Sequence, residues 1–207
     1  MLIAISATFT AEGIEPGLAF WIRELGLPGE IRFAAYHQVF QELLDPGGLF
    51  ARNTSGVNVA LVRFDDWPAG QAAEFVDAVR AAAGRMAVPL ILVLCPGALE
   101  FDDVVRLGVA DLPAVYLLTA ADIAALYPVA EVHDPGGNEL GRVPYTPLYF
   151  VALATAVARK IHAIAAPQFK AIALDCDDTL WAGICGEDGP EGVVLDPPRR
   201  TAARPLQ

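Results

Sequence analysis

A chain of 207 residues suits one ordinary domain, or one domain and part of a second. With 55 % hydrophobic and only 19 % charged residues, intrinsic disorder is excluded over most of the length. A net charge of -11 and a pI near 4.6 would repel a nucleic-acid duplex or an anionic membrane, so neither is an expected partner.

The mean hydropathy of +0.43 raises the question of a membrane span. The longest near-apolar stretch, residues 148–158, contains Thr155 and is stopped by Arg159 and Lys160. That is short of the roughly 18–20 residues a span needs. The N-terminus has neither a basic region nor a small-residue cleavage site, so no signal peptide is expected. Cys95, Cys176 and Cys185 form no CxxC pattern, which fits reduced thiols and a cytoplasmic protein.

Short apolar runs alternate with helical patterns, the sign of a layered α/β fold. Residues 2–6 predict a first strand. Pro16 opens a helix with Leu18, Ile22 and Leu25 on one face, and Gly26 ends it. Residues 30–35 predict the second strand and 37–44 a short helix. Residues 57–63 predict the third strand, and 69–86 carry helical spacing. Asp65-Asp66-Trp67 reads as a capping turn before that helix, because Asp satisfies free amides at a helix start. The unbroken apolar run 89–94 predicts a central parallel strand covered on both faces. Asp102 and Asp103 mark a solvated first helical turn. A fifth strand follows at 114–118 and a short helix at 120–126. Asp134-Pro135-Gly136-Gly137-Asn138 reads as a loop, and 146–164 as a long helix in which His162 is structural. Trp21, Phe33, Phe40 and Phe75 are candidate core aromatics. Pro167 breaks the pattern, which sets domains at 1–166 and 167–207, and residues 170–174 predict a new strand.

That last strand runs into Asp175-Cys176-Asp177-Asp178-Thr179-Leu180-Trp181. Two carboxylates at i and i+2 beyond a strand face one crevice. One can attack phosphorus or an acyl centre while the other moves the leaving group's proton. A hard cation such as Mg²⁺ offsets their repulsion. Thr179 can hydrogen-bond within the turn and hold the first carboxylate's loop, and Trp181 covers it.

In the first domain, ligands are expected beyond the carboxyl ends of the strands. Those ends carry Ser6, Thr8 and Thr10; Tyr36 and His37; Arg63, Asp65 and Asp66; Cys95; Thr119; and His133 and Asp134. Ser6, His133 and Asp134 can be combined into an esterase triad, but Ser6-Ala7-Thr8 lacks the tight glycine turn a nucleophilic serine usually needs.

The D-x-D-x-T-L sequence resembles motif I of the haloacid dehalogenase (HAD) superfamily. With Gly183-Ile184-Cys185-Gly186-Glu187-Asp188-Gly189 it resembles the FkbH-like branch in particular. Gly141-Arg142-Val143-Pro144-Tyr145-Thr146-Pro147, Ser6-Ala7-Thr8-Phe9-Thr10 and Asn53-Thr54-Ser55-Gly56-Val57-Asn58-Val59 are similar to further segments of that branch. The resemblance implies a three-layer parallel-sheet domain of SGNH or flavodoxin type, followed by the first strand and flap of a HAD domain. It implies transfer of a glyceryl unit from 1,3-bisphosphoglycerate to an acyl carrier protein thioester, with loss of phosphate, in polyketide or mixed peptide–polyketide biosynthesis.

By position, Asp175 matches the nucleophile and Mg²⁺ ligand, and Asp177 the acid/base and second ligand. Cys176 either carries the glyceryl group or is a small side chain turned back into the sheet. A role in docking the carrier protein or handling substrate, or hydrolysis, remains open for the first domain. Asp178 stands where the branch usually has Asn, and Arg142 where it usually has His. The Ser or Thr, the Lys and the further acidic residue of HAD chemistry belong to the ends of later strands, which are expected to lie past residue 207. The expectation is a chain cut short within its HAD domain, with weak or absent Mg²⁺ binding.

Overall fold

The computed structural model describes residues 1–68, 70–166, 173, 175–192 and 194. The chain divides into two compact units, Met1–Ala166 and Pro167–Gln207. The first is built from β1 (Leu2–Ala7), α1 (Glu15–Glu24), β2 (Glu30–Phe33), α2 (Val39–Leu44) and α3 (Leu49–Arg52), then β3 (Gly56–Val62), α4 (Ala72–Ala83) and β4 (Leu90–Leu94). It continues with α5 (Asp102–Val109), β5 (Val115–Thr119), α6 (Ala120–Leu126), α7 (Pro135–Gly141) and α8 (Pro147–Ala165). The second unit holds α9 (Cys185–Gly192), kinked at Gly189.

Five strands form one sheet in the order β2-β1-β3-β4-β5, and every neighbouring pair is parallel. Alternation along the strands divides the core in two. Ile3, Ile5, Val57, Val59, Leu61, Ile91 and Val93 face a layer that includes Leu18 of α1 and Leu153 and Val157 of α8. Ala4, Ala60, Val62, Leu90, Leu92 and Leu94 face Val39 and Leu43 of α2, Phe75 and Val79 of α4, and Val105 of α5. β4 is buried at every position, as its continuous apolar run requires. Of the candidate core aromatics, Phe75 is fully buried, whereas Trp21, Phe33 and Phe40 are half-buried at the edges of the two clusters.

The segment before β3 works as a buried polar clasp. The Asn53 side-chain amide donates to the carbonyls of Leu2 and Val57 and to Oδ1 of Asn58, and the Asn58 amide donates to the Phe50 carbonyl. Both residues are buried, so these bonds offset their desolvation. Gly56 completes the clasp. Its φ is +139°, and a Cβ there would lie 2.1 Å from the Leu2 carbonyl oxygen, in the register pair Leu2–Gly56. Gly56→Ala is expected to lose about 3 kcal/mol or more, because backbone has to move and the φ is strained for any side chain. Urea unfolding measures this.

Thr119 and Asp122 form a reciprocal cap on α6: the Asp122 amide donates to Thr119 Oγ1, and the Thr119 amide and hydroxyl both donate to the Asp122 carboxylate. Those two bonds hold the Asp122 carboxyl below its ordinary pKa. A depressed carboxylate adds stability above the unfolded value, about 3.9, and loses it as pH falls through the folded value. Asp122→Asn is therefore expected to cost about 1 kcal/mol at neutral pH and nothing once both states are protonated. Unfolding midpoints compared across the acid range check this.

Two expectations are corrected. Residues 134–138 are not a loop: Asp134 caps α7 by accepting from the Gly137 amide, and Pro135 sits in its first turn. The Asp65–Trp67 segment does not cap α4, whose cap residue is Gln71; it lies in a short 3₁₀ turn over Phe64–Asp66. Helix α8 is also longer than the apolar stretch that marks it. By length and composition it suffices to cross a membrane, with a mean hydropathy of 1.4 over the qualifying window. Half of that window is buried in the fold, where Tyr149, Phe150, Leu153, Val157 and Ile161 join the core, as in the central helix of a globular domain. The strand expected at 170–174 lies outside the described residues apart from Ala173.

Candidate functional site

In a 2-1-3-4-5 parallel sheet the chain reverses its winding between β1 and β3, and side chains beyond those strand ends surround a crevice. Here that crevice is a cleft of about 260 Å³ lined by Tyr36, His37, Asp65, Asp66 and Arg142. Its floor is a buried ion pair. The Arg63 guanidinium donates to both Asp66 oxygens, through Nε at 2.9 Å to Oδ2 and through Nη2 to Oδ1. Their side chains are only 8 % and 11 % exposed. Burial alone pushes the Arg63 pKa down, but the hydrogen bond and charge of Asp66 outweigh it and hold it above the ordinary value. Thr8 Oγ1 donates to Asp66 Oδ2 at 3.0 Å and accepts from the Arg63 amide at 3.0 Å, which locks β1 to β3. Asn138 of α7 accepts from Arg63 Nη2 at 3.1 Å.

The walls are pinned as well. His37 has a φ of +60° and Arg142 of +55°, both left-handed and both costly without glycine. The His37 ring lies with Nδ1 2.8 Å from the Thr8 carbonyl oxygen. A carbonyl can only accept, so Nδ1 bears the proton and Nε2 is the ring atom left for another partner. The Tyr36 ring stacks on it at 5.7 Å. The Arg142 turn is tied to the exit of β1: the Thr10 amide donates to the Arg142 carbonyl and its hydroxyl to the Gly141 carbonyl. Gly97 leaves room for Asp65, since a Cβ there would lie 2.9 Å from its Oδ2.

Among the residues singled out in the first unit, His37, Arg63 and Asp65 meet at this cleft. Ser6 and His133 do not. β1 runs on to Ala7, so Ser6 lies inside the strand, and its Oγ is buried without a hydrogen-bond partner among the described residues. His133 is exposed, with its ring 5.8 Å from that of Tyr145, and Asp134 is used as a helix cap. The esterase triad of Ser6, His133 and Asp134 is thus not assembled. Cys95 is buried, and burial pushes its thiol well above the usual range. Sequence reasoning missed Asn138, and it read Asp66 both as a strand-end residue and as part of a capping turn, but not as the partner of Arg63. A carboxylate three residues after Arg63 was the available signal.

In the second unit, motif I is a tight turn. The amides of Thr179, Leu180 and Trp181 all donate to the Cys176 carbonyl. Asp177 Oδ1 accepts from Trp181 Nε1 at 3.0 Å and from the Cys185 amide at 3.1 Å, so Trp181 does close over the turn. Asp175 is exposed and Asp177 half-buried. Asp178 has a φ of +53° and accepts from the Gly183 amide. Asp is one of the few non-glycine residues that tolerate that backbone. The Thr179 side chain, expected to brace the turn, is exposed and makes no hydrogen bond among the described residues; its backbone does the bracing.

No group of three metal-ligating side chains occurs among the described residues. Asp175 and Asp177 still fit the smaller set Mg²⁺ requires, one or two carboxylates completed by water and substrate phosphate. Asp177 Oδ2 is not used by any described donor, while Oδ1 is held in place.

No family model matches the chain, and no curated protein sequence matches it. Among solved structures, one similar in fold is the N-terminal part of a Bacteroides fragilis protein, containing a phosphatase domain and complexed with Mg. The TM-score is 0.68 at 15 % identity, over 93 % of this chain and 60 % of that one. The chain therefore spans less than two thirds of that structure, and the likeness is one of fold: an α/β architecture on a five-stranded parallel sheet.

Proposed function

We propose that this chain processes a phosphorylated three-carbon acyl unit through motif I, as an FkbH-like protein whose first unit is an SGNH-type layered domain and whose second begins a HAD-type phosphatase domain. The observation that carries this reading is the motif I turn: an exposed Asp175 one residue from Cys176 and two from an Asp177 anchored by two N–H donors. A fold shared with a protein containing a Mg-bound phosphatase domain supports it.

The roles follow from the chemistry. The Cys176 thiolate attacks the acyl carbon of the acyl phosphate, inorganic phosphate leaves, and a thioester forms. Asp175 attacks the phosphorus of the remaining phosphoester. Asp177 gives the departing alcohol its proton and then takes one from the water that frees Asp175. Mg²⁺, when bound, would be held by Asp175 and Asp177 and would offset negative charge on the phosphate. The acyl group then passes to the thiol of an acyl carrier protein.

Intact-mass analysis tests the transfer, on a chain in which residues 1–207 continue into the remaining strands of a HAD-type domain and on a carrier protein, after incubation with 1,3-bisphosphoglycerate and Mg²⁺. Cys176→Ala is expected to abolish the thioester adduct while leaving phosphoester cleavage in place. An adduct that persists in Cys176→Ala contradicts the role given to this thiol.

A further inference from the structure

The cleft at the ends of β1, β2 and β3 is built with more care than a structural turn needs. Four elements converge on it, and two of its residues, His37 and Arg142, hold left-handed backbone without glycine. Strained backbone gathers where a side chain must be aimed. Each strained residue is tied in place by bonds to the exit of β1. Arg63 and Asp66 neutralise one another beneath it. What remains for a ligand is one cation and two acceptors. The Arg142 guanidinium is exposed and makes no hydrogen bond among the described residues. The Asp65 carboxylate is exposed, and His37 offers Nε2.

We propose that this cleft is a binding site for a small hydroxylated anion, a carboxylate or phosphate with a hydroxyl on a neighbouring carbon. Arg142 pairs with the charge, and Asp65 and His37 Nε2 accept from the hydroxyls. A guanidinium matches both anions with two parallel bonds. Hydroxyls donate to Asp65 and to His37 Nε2 without placing a second cation beside Arg142. A cleft of about 260 Å³ suits a molecule of a few carbons and a phosphate, not a nucleotide. Binding here does not depend on the reading given to motif I.

The test is calorimetric titration of the 207-residue chain with glycerate, glycerol 3-phosphate, inorganic phosphate and glycerol. At least one of the two hydroxylated anions is expected to bind with a Kd below about 1 mM, and glycerol and inorganic phosphate at least about tenfold more weakly. Arg142→Gly, which relieves the left-handed backbone while removing the charge, is expected to weaken the hydroxylated anion by about tenfold or more. Asp65→Asn is expected to weaken it too, without changing the affinity for inorganic phosphate. Absence of binding at about 10 mM or undiminished affinity in Arg142→Gly would each overturn the proposal.

Discussion

Replacing Arg63 by Met is expected to destabilise the protein by about 3–5 kcal/mol, the usual cost of removing one partner from a buried ion pair. The loss is large because Asp66 is left without its cation beneath the cleft, at 11 % exposure, with only the Thr8 hydroxyl still donating to it. Asp66→Asn is expected to cost less, since an amide oxygen still accepts from the guanidinium. The double variant Arg63→Met/Asp66→Leu is expected to recover much of the loss, because it leaves no charge buried. Denaturant unfolding of Arg63→Met, Asp66→Leu and the double variant measures this as a double-mutant cycle. Equal losses in Arg63→Met and in the double variant would show that the unpaired Asp66 charge is not what destabilises Arg63→Met.

Much of the fold was legible because the strands are short apolar runs with few rivals. β4 is the clearest case: its five residues are Leu, Ile, Leu, Val and Leu, and only a strand covered on both faces uses such a run. Helix α7 was not legible to a reading that weighed Gly136 and Gly137 as loop formers. Its start signal was nevertheless present, an Asp cap followed by Pro at the first helical position.

The cleft was half legible. Counting strand ends found Tyr36, His37, Arg63, Asp65 and Asp66, since each lies within four residues of a strand's end. Asn138 and Arg142 come from a helix far along the chain, and only the tertiary fold brings them to β1 and β3. Ser6 was misplaced by a single residue of strand length, and in a sheet that is enough to turn a crevice residue into a buried one. In motif I the two carboxylates were legible from spacing. The anchoring of Asp177 by Trp181 and the Cys185 amide was not, because it depends on a turn that folds back over it.

Removing the Asp175 carboxylate is expected to have the largest effect on chemistry. Motif I supplies the nucleophile and the proton carrier, while phosphoryl transfer also depends on positioned donors and cations. The measurement that tests the account most directly is phosphate release from 1,3-bisphosphoglycerate with and without Mg²⁺, in a chain where residues 1–207 continue into the remaining strands of a HAD-type phosphatase domain. The account predicts Mg²⁺-dependent release of the second phosphate, the phosphoester's, that falls by about 10⁴ or more in Asp175→Asn and strongly in Asp177→Asn, while the phosphate displaced by Cys176 still leaves. Release of the second phosphate at an undiminished rate in Asp175→Asn would contradict it.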